Sequence, residues 1–216
     1  MNSLFIIISL GPMALYLLVL AFINSRSCPT VVSGKRDLIF LGLGLIGFVF
    51  IGPIQMLVPI NAIIVWKFWV WFLLLSLYFL LIVFLGTFRR PQIILYNISY
   101  DEARSLLSRL ALELDFEARW AGASLNLPGL GIQFYLENCS FLKNVSLIAA
   151  GEQPDLRGWN RLEEALVQAT RNMKSGINPA NKYFVALGII IFIYLLIILI
   201  GNREIILESL KFYLFS

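Results

Sequence analysis

The chain contains no histidine. Imidazole is therefore excluded as general base, proton switch, haem ligand or metal ligand, and Ser-His and Cys-His nucleophile pairs go with it. Cysteine is nearly as scarce. Cys28 and Cys139 stand far apart, neither in a CxxC pair, and read as two reduced thiols rather than a disulfide framework or a metal site. Charged residues make up 14% of the 216 positions and hydrophobic ones 59%, where soluble domains carry about 25% charge. The expectation is an integral membrane protein with limited soluble mass. No basic segment precedes the first apolar run and no small-residue cleavage site follows it, so that run is expected to be retained rather than removed as a signal peptide.

Four stretches are long enough in apolar residues to span the ~30 Å hydrocarbon core of a bilayer, about 4–23, 38–59, 63–88 and 183–200. Gly11-Pro12 in the first and Pro53 in the second predict kinks, because proline removes a backbone donor. A tight turn, Pro59-Ile60-Asn61, is expected between the second and third. The second carries Gly42, Gly44, Gly47 and Gly52. The first three spell G-x-G-x-x-G, the pattern of a dinucleotide-binding loop, but without the preceding strand, the helix start or the acidic partner about 20 residues on that such a loop needs. These glycines are read as helix-packing positions, where small residues let another helix approach closely. Trp66, Lys67, Trp69 and Trp71 cluster at the start of the third stretch and, with Arg89 and Arg90 at its end, are expected to anchor the membrane interface. No Asp or Glu lies in any of the four stretches, which disfavours a proton- or cation-coupled transporter.

Basic residues set the expected orientation. The Ser25–Asp37 loop carries Arg26, Lys35 and Arg36, the flank after the third stretch carries Arg89 and Arg90, and Lys182 precedes the last. Alternating spans put all of these on one side, predicting an outside N-terminus, a cytoplasmic domain at 91–177 and an outside C-terminus in a bacterial inner membrane. Residues 1–90 then form a membrane region, and 178–216 a fourth span with a short amphipathic segment. That segment is either an interfacial helix or a continuation of the span. Between Pro91 and Lys182 nine Lys/Arg face ten Asp/Glu; so neutral a segment lacks the basic footprint of a nucleic-acid binder.

The 91–177 segment changes period along its length. Gln92–Ile98 is β-branched and aromatic and predicts a strand; Ser99-Tyr-Asp-Glu102 is a capping box, and Ala103, Leu106, Leu107, Leu110 and Leu114 repeat at helical spacing. Short strands are expected at Phe116–Trp120, Ser124–Leu127, Ile132–Leu136 and Val145–Ile148, and a second helix from Trp159 to about Met173. The expected fold is therefore α+β, β-α-β-β-β-(β)-α, an antiparallel sheet with two helices on one face, inserted between helices 3 and 4 of a four-helix membrane protein. The Asn24–Asp37 segment reads as a polar loop.

Chemistry-bearing clusters are few. Glu163-Glu164 point about 100° apart on a helix and do not make a shared-proton pair. Glu113, Asp115 and Glu117 could approach a hard cation, without the spacing of a calcium loop. No catalytic residue, cofactor or metal is assigned, and the chain is not expected to be an enzyme. Three readings follow. The leading one is an accessory or structural subunit contacting lipid and other membrane proteins, or itself, through four helices and a protein-contact domain. The second is a membrane-tethered ligand sensor, with Trp120, Tyr135 and Trp159 lining a pocket or else filling the core. The third is a membrane-embedded enzyme of unknown chemistry.

Overall fold

The computed structural model describes residues 3–51, 68–139, 142–151, 155–176, 178 and 180–215. Within them the chain forms seven α-helices and a six-stranded antiparallel sheet. In order these are α1 (Ser3–Ser25), β1 (Thr30–Ser33), α2 (Gly34–Val49), α3 (Phe68–Phe88), β2 (Gln92–Tyr96), α4 (Tyr100–Leu114), β3 (Arg119–Ala121), β4 (Ser124–Leu127), a 3-10 turn (Pro128–Leu130), β5 (Ile132–Cys139), β6 (Asn144–Ala150), α5 (Leu156–Arg171), α6 (Asn181–Gly201) and α7 (Arg203–Phe215). Two compact units result: Met1–Leu20 with Leu38–Thr87 and Tyr183–Ser216, and Ala21–Asp37 with Phe88–Lys182.

The first unit is helical and apolar. Among the described residues, α1 and α6 are long and apolar enough to cross a membrane, and α3 is apolar along its length. Pro12 lies inside α1, which continues through it. The buried residues of α2 are Gly42, Gly44 and Gly47. At Gly42 a Cβ would collide with the Ile82 side chain of α3, and at Gly44 with Tyr16 of α1 at 2.8 Å. At Gly47 it would collide with the Ile8 carbonyl of α1. The Tyr78 hydroxyl donates to the Gly42 carbonyl at 2.8 Å, so removal of a side chain there also opens the backbone to a neighbour. The expected Pro53 kink, the 59–61 turn and the start of the third apolar stretch lie outside the described residues.

The second unit is an α+β layer built as periodicity predicts. Along β5, Ile132, Phe134 and Leu136 are buried while Gln133, Tyr135 and Glu137 are exposed. The strand order is β1-β2-β6-β5-β4-β3. β3 to β6 form a meander, and β2, reached across α4, pairs with β6 in the register Ile93↔Leu147. One core takes alternate residues of β2, β4, β5 and β6 together with Leu106, Leu107 and Leu110 of α4 and Trp159, Leu162 and Leu166 of α5. Both helices therefore cover the same sheet face. α4 starts at the expected capping box: Ser99 N–H donates to Glu102 Oε2 at 2.9 Å and Glu102 N–H to Ser99 Oγ at 3.4 Å.

Three expectations change. The Asn24–Asp37 segment is not simply a loop, because Thr30-Val-Val-Ser33 pairs antiparallel with β2 as an edge strand, and α2 already begins at Gly34. The strand expected at Phe116–Trp120 shrinks to Arg119–Ala121, leaving Phe116 96% exposed. Asp115 explains this, since its Oδ1 accepts from Glu117 N–H at 2.9 Å and its Oδ2 from Gly129 N–H at 2.7 Å, which turns the chain before the strand starts. The last helix of the unit starts three residues early, at Leu156, because Asp155 caps it by accepting from Arg157 N–H at 2.8 Å. Gly158 then passes so close to the Leu130 carbonyl that no side chain would fit.

Candidate functional site

The most organised polar feature is a cluster of buried amides in the α+β unit. It joins four segments: the last turn of α1 and the loop behind it, the β2–α4 turn, the β5–β6 turn, and the chain between α5 and α6. Asn24 and Asn178 are each 1% exposed, Asn97 is fully buried, and Asn144 and Ser175 are also buried. Asn178 Nδ2 donates to Asn24 Oδ1 at 2.8 Å and to the Leu142 carbonyl at 2.6 Å, while its Oδ1 accepts from Ala180 N–H at 2.9 Å. Asn97 Nδ2 donates to the Arg26 carbonyl at 2.6 Å. Ser175 closes the set, its hydroxyl donating to the Asn97 carbonyl at 2.5 Å and its N–H to the Ser27 carbonyl at 2.6 Å. Lys143 Nζ donates to the Gly176 carbonyl at 2.8 Å.

Elementary accounting explains the composition. Each segment here is a helix end or a turn, so it presents carbonyls with no helical or ladder donor. Asparagine supplies two donors and an acceptor on a short, neutral side chain, which avoids burying a charge. Asn97 and Lys143 also adopt left-handed backbone, with φ of 59° and 51°, a conformation asparagine tolerates better than most residues. These cluster residues include no carboxylate, and their hydrogen bonds clasp the four chain segments together.

The residues singled out by sequence fall in separate places. Trp66, Lys67 and Gly52 lie outside the described residues, and of Trp71 only the backbone, in α3, is described. Trp69 is 67% exposed in the first turn of α3, edge-on to Phe72 at 6.1 Å. Arg89 and Arg90 are exposed just after α3. The aromatic trio does not meet. Trp159 is a core residue, edge-on to Phe134 at 5.9 Å. Trp120 is half-buried at the edge of that core with the Arg104 guanidinium 5.1 Å from its ring. Tyr135 points from the other face of the sheet. A pocket lined by all three is thereby excluded, and the strict alternation Ile132-Gln-Phe-Tyr-Leu136 already carried that signal.

The carboxylates are similarly dispersed. Asp115 serves the backbone donors described above, and among the described residues no group of three metal-binding side chains gathers. Glu102 titrates below its ordinary range because its carboxylate accepts from the Ser99 backbone and hydroxyl, with a smaller contribution from the Lys143 charge. Glu163 and Glu164 line a cavity of about 430 Å³ with Arg36, Asn160 and Gln168. A second cavity, about 740 Å³, lies between residues 25–31 and the end of α5. Sequence reasoning missed the amide cluster and this second cavity alike, since both depend on contacts between distant segments.

Comparison with protein-family models, with curated proteins and with solved structures gave no match for this chain.

Proposed function

We propose that the chain is an accessory subunit of a membrane protein assembly, crossing the bilayer four times and holding its α+β unit in the cytoplasm as a protein-contact domain. Charge distribution supports the four crossings. Residues 3–20, 38–51, 68–87 and 183–201 carry no charged side chain, whereas Arg26, Lys35, Arg36, Arg89, Arg90 and Lys182 all belong to the α+β unit. Local pairing supports them too. The β1–β2 ladder sets the start of α2 beside the start of β2, with a Cβ at Gly34 only 2.9 Å from that of Gln92. The Asn24–Asn178 bond sets the end of α1 beside the approach to α6. Four helices that alternate in direction require all four of these ends on one side of the membrane.

The observation that carries the accessory role is the sheet face opposite α4 and α5. Gln133, Tyr135 and Glu137 stand exposed on β5, with Asn126 and Arg119 exposed in register beside Gln133. Tyr135 and Arg119 beside the uncharged Gln133 and Asn126, with Glu137 farther along β5, match the tyrosine and arginine enrichment of contact surfaces. A photo-crosslinking residue at Tyr135 tests this in cells: a discrete adduct with a membrane protein, lost on Gln133→Glu, is expected. A chain that purifies in mild detergent as a single monodisperse species, with no adduct, overturns it.

A further inference from the structure

We propose that the cavity between the end of α1 and the end of α5 binds a phosphate group, presented by an anionic lipid headgroup at the cytoplasmic surface. Its described lining comprises Ser25, Arg26, Ser27, Cys28, Pro29, Thr30 and Val31 on one side and Val167, Thr170 and Arg171 on the other, around about 740 Å³. That lining holds two guanidiniums and no carboxylate. Among the described residues neither arginine is paired with an acidic group. Arginine is the residue suited to phosphate, since its planar fork of donors matches two oxygens at once.

Two features favour a built site over a pair of solvated side chains. The Arg26 guanidinium lies 4.9 Å from the Phe22 ring centroid, which limits where it can swing. Its loop is fixed from behind, the Arg26 carbonyl by Asn97 Nδ2 and the Ser27 carbonyl by Ser175 N–H, each at 2.6 Å. A competing explanation is that each arginine merely offsets the partial negative charge at a helix C-terminus, since Arg26 follows α1 and Arg171 ends α5. Magnitudes decide against it. A helix end carries roughly −0.5 charge, so two ends cancel about half of two guanidiniums and leave a net charge of about +1 in the cavity.

The location names the source. If α1 spans the bilayer, the residues just past its end lie at the level where lipid phosphates sit, and basic pockets beside span ends on the cytoplasmic side are recognised sites for anionic headgroups. The choice of lipid over free phosphate rests on the membrane reading above, whereas the phosphate chemistry does not.

The test uses the full chain in detergent micelles, with native mass spectrometry reading retained phosphatidylglycerol against phosphatidylcholine. Phosphatidylglycerol should be retained preferentially, and Arg26→Gln with Arg171→Gln should reduce that retention by about fivefold for each arginine removed. Arg109→Gln, an exposed arginine of α4 outside the cavity, should change nothing. The Arg171→Gln variant alone keeps the test valid if the double variant melts early, because no hydrogen bond of that side chain supports the fold among the described residues. Inorganic phosphate is the second probe. Binding of phosphate with the same arginine dependence, but no lipid preference, assigns the cavity to the free anion. Equal retention of both lipids with no phosphate binding, or retention unaltered in the glutamine variants, overturns the proposal. Resistance of the chain to alkaline extraction from membranes is scored separately, so that failure of the membrane reading is distinguished from failure of the cavity.

Discussion

Asn178 donates through Nδ2 to Oδ1 of Asn24 at 2.8 Å, across 154 positions of sequence. The same amide satisfies the Leu142 carbonyl and caps its own turn through Ala180 N–H. Asn178→Ala removes all three bonds and leaves the half-buried Leu142 carbonyl without that donor, which costs about 2–4 kcal/mol. Circular dichroism in detergent should show a Tm lower by roughly 5–10 °C. Asn178→Asp is the sharper test. It sets an acceptor against the Asn24 and Leu142 oxygens, so its folded-state pKa is raised, and the loss should ease as pH falls and the new carboxyl gains a proton to donate.

Gly47 answers a defect that Pro12 creates. Proline has no N–H, so the Ile8 carbonyl four positions earlier lacks its helical donor, and inside a bilayer such an orphan costs several kcal/mol, on the order of a lost hydrogen bond in hydrocarbon. α2 brings Gly47 so close that the Cα–H a side chain would replace points at that carbonyl, a weak donor contributing about 0.5–1 kcal/mol. Gly47→Ala should force α2 away from α1 and destabilise the helical unit by about 1–3 kcal/mol. Gly86→Ala is the control. There a Cβ would meet only Leu38 Cδ2, at an ordinary 3.6 Å, and the melting curve should stay within about 0.5 kcal/mol of the parent.

How much of this was legible depended on sequence distance. The Ser99–Glu102 box and the Ala103, Leu106, Leu107, Leu110 stripe are written within single helical turns, and both stand in α4. Period-2 alternation gave β5 and its neighbours. β1 was missed because Thr30-Val-Val-Ser33 is too short to show a period and its partner, Gln92–Tyr96, lies some sixty positions on. Phe116 invited a strand by composition, yet Asp115 turns the chain with bonds to Glu117 and to Gly129, the latter fourteen positions ahead. The amide cluster was illegible for the same reason. Its members are ordinary surface-type residues until segments 36 to 154 positions apart bring them together.

Glu102 makes the stability of α4 pH-dependent. Its pKa is depressed, chiefly by the Ser99 N–H that its carboxylate accepts. A depressed folded-state value means that the contribution is complete above the ordinary value, near 4.5, and is lost as pH falls through the lower folded one. The protection factors of the Ala103 to Leu107 amides, taken relative to the intrinsic exchange rate at each pH, should therefore fall on acidification through that window. In Glu102→Gln, which keeps a side-chain partner for Ser99 N–H without the charge, the acid-dependent part should vanish while the neutral-pH rate rises only slightly.

Orientation can be read with the chain's own thiols. Cys139 is exposed at the end of β5 and Cys28 is half-buried. Arg26, Lys35, Arg36, Arg89, Arg90 and Lys182 all belong to the α+β unit. If the apolar helices cross the bilayer, that concentration of basic residues argues for a cytoplasmic domain. A membrane-impermeant maleimide should accordingly leave intact cells unlabelled and modify Cys139 ahead of Cys28 once they are permeabilised. With both cysteines replaced by serine, Gly201→Cys supplies the converse. Gly201 ends α6 with open space around its Cβ position, and its thiol should label in intact cells. Labelling of Cys139 without permeabilisation would invert the topology and move the basic cavity away from the anionic cytoplasmic leaflet, leaving free phosphate as the ligand that Arg26 and Arg171 could still recognise.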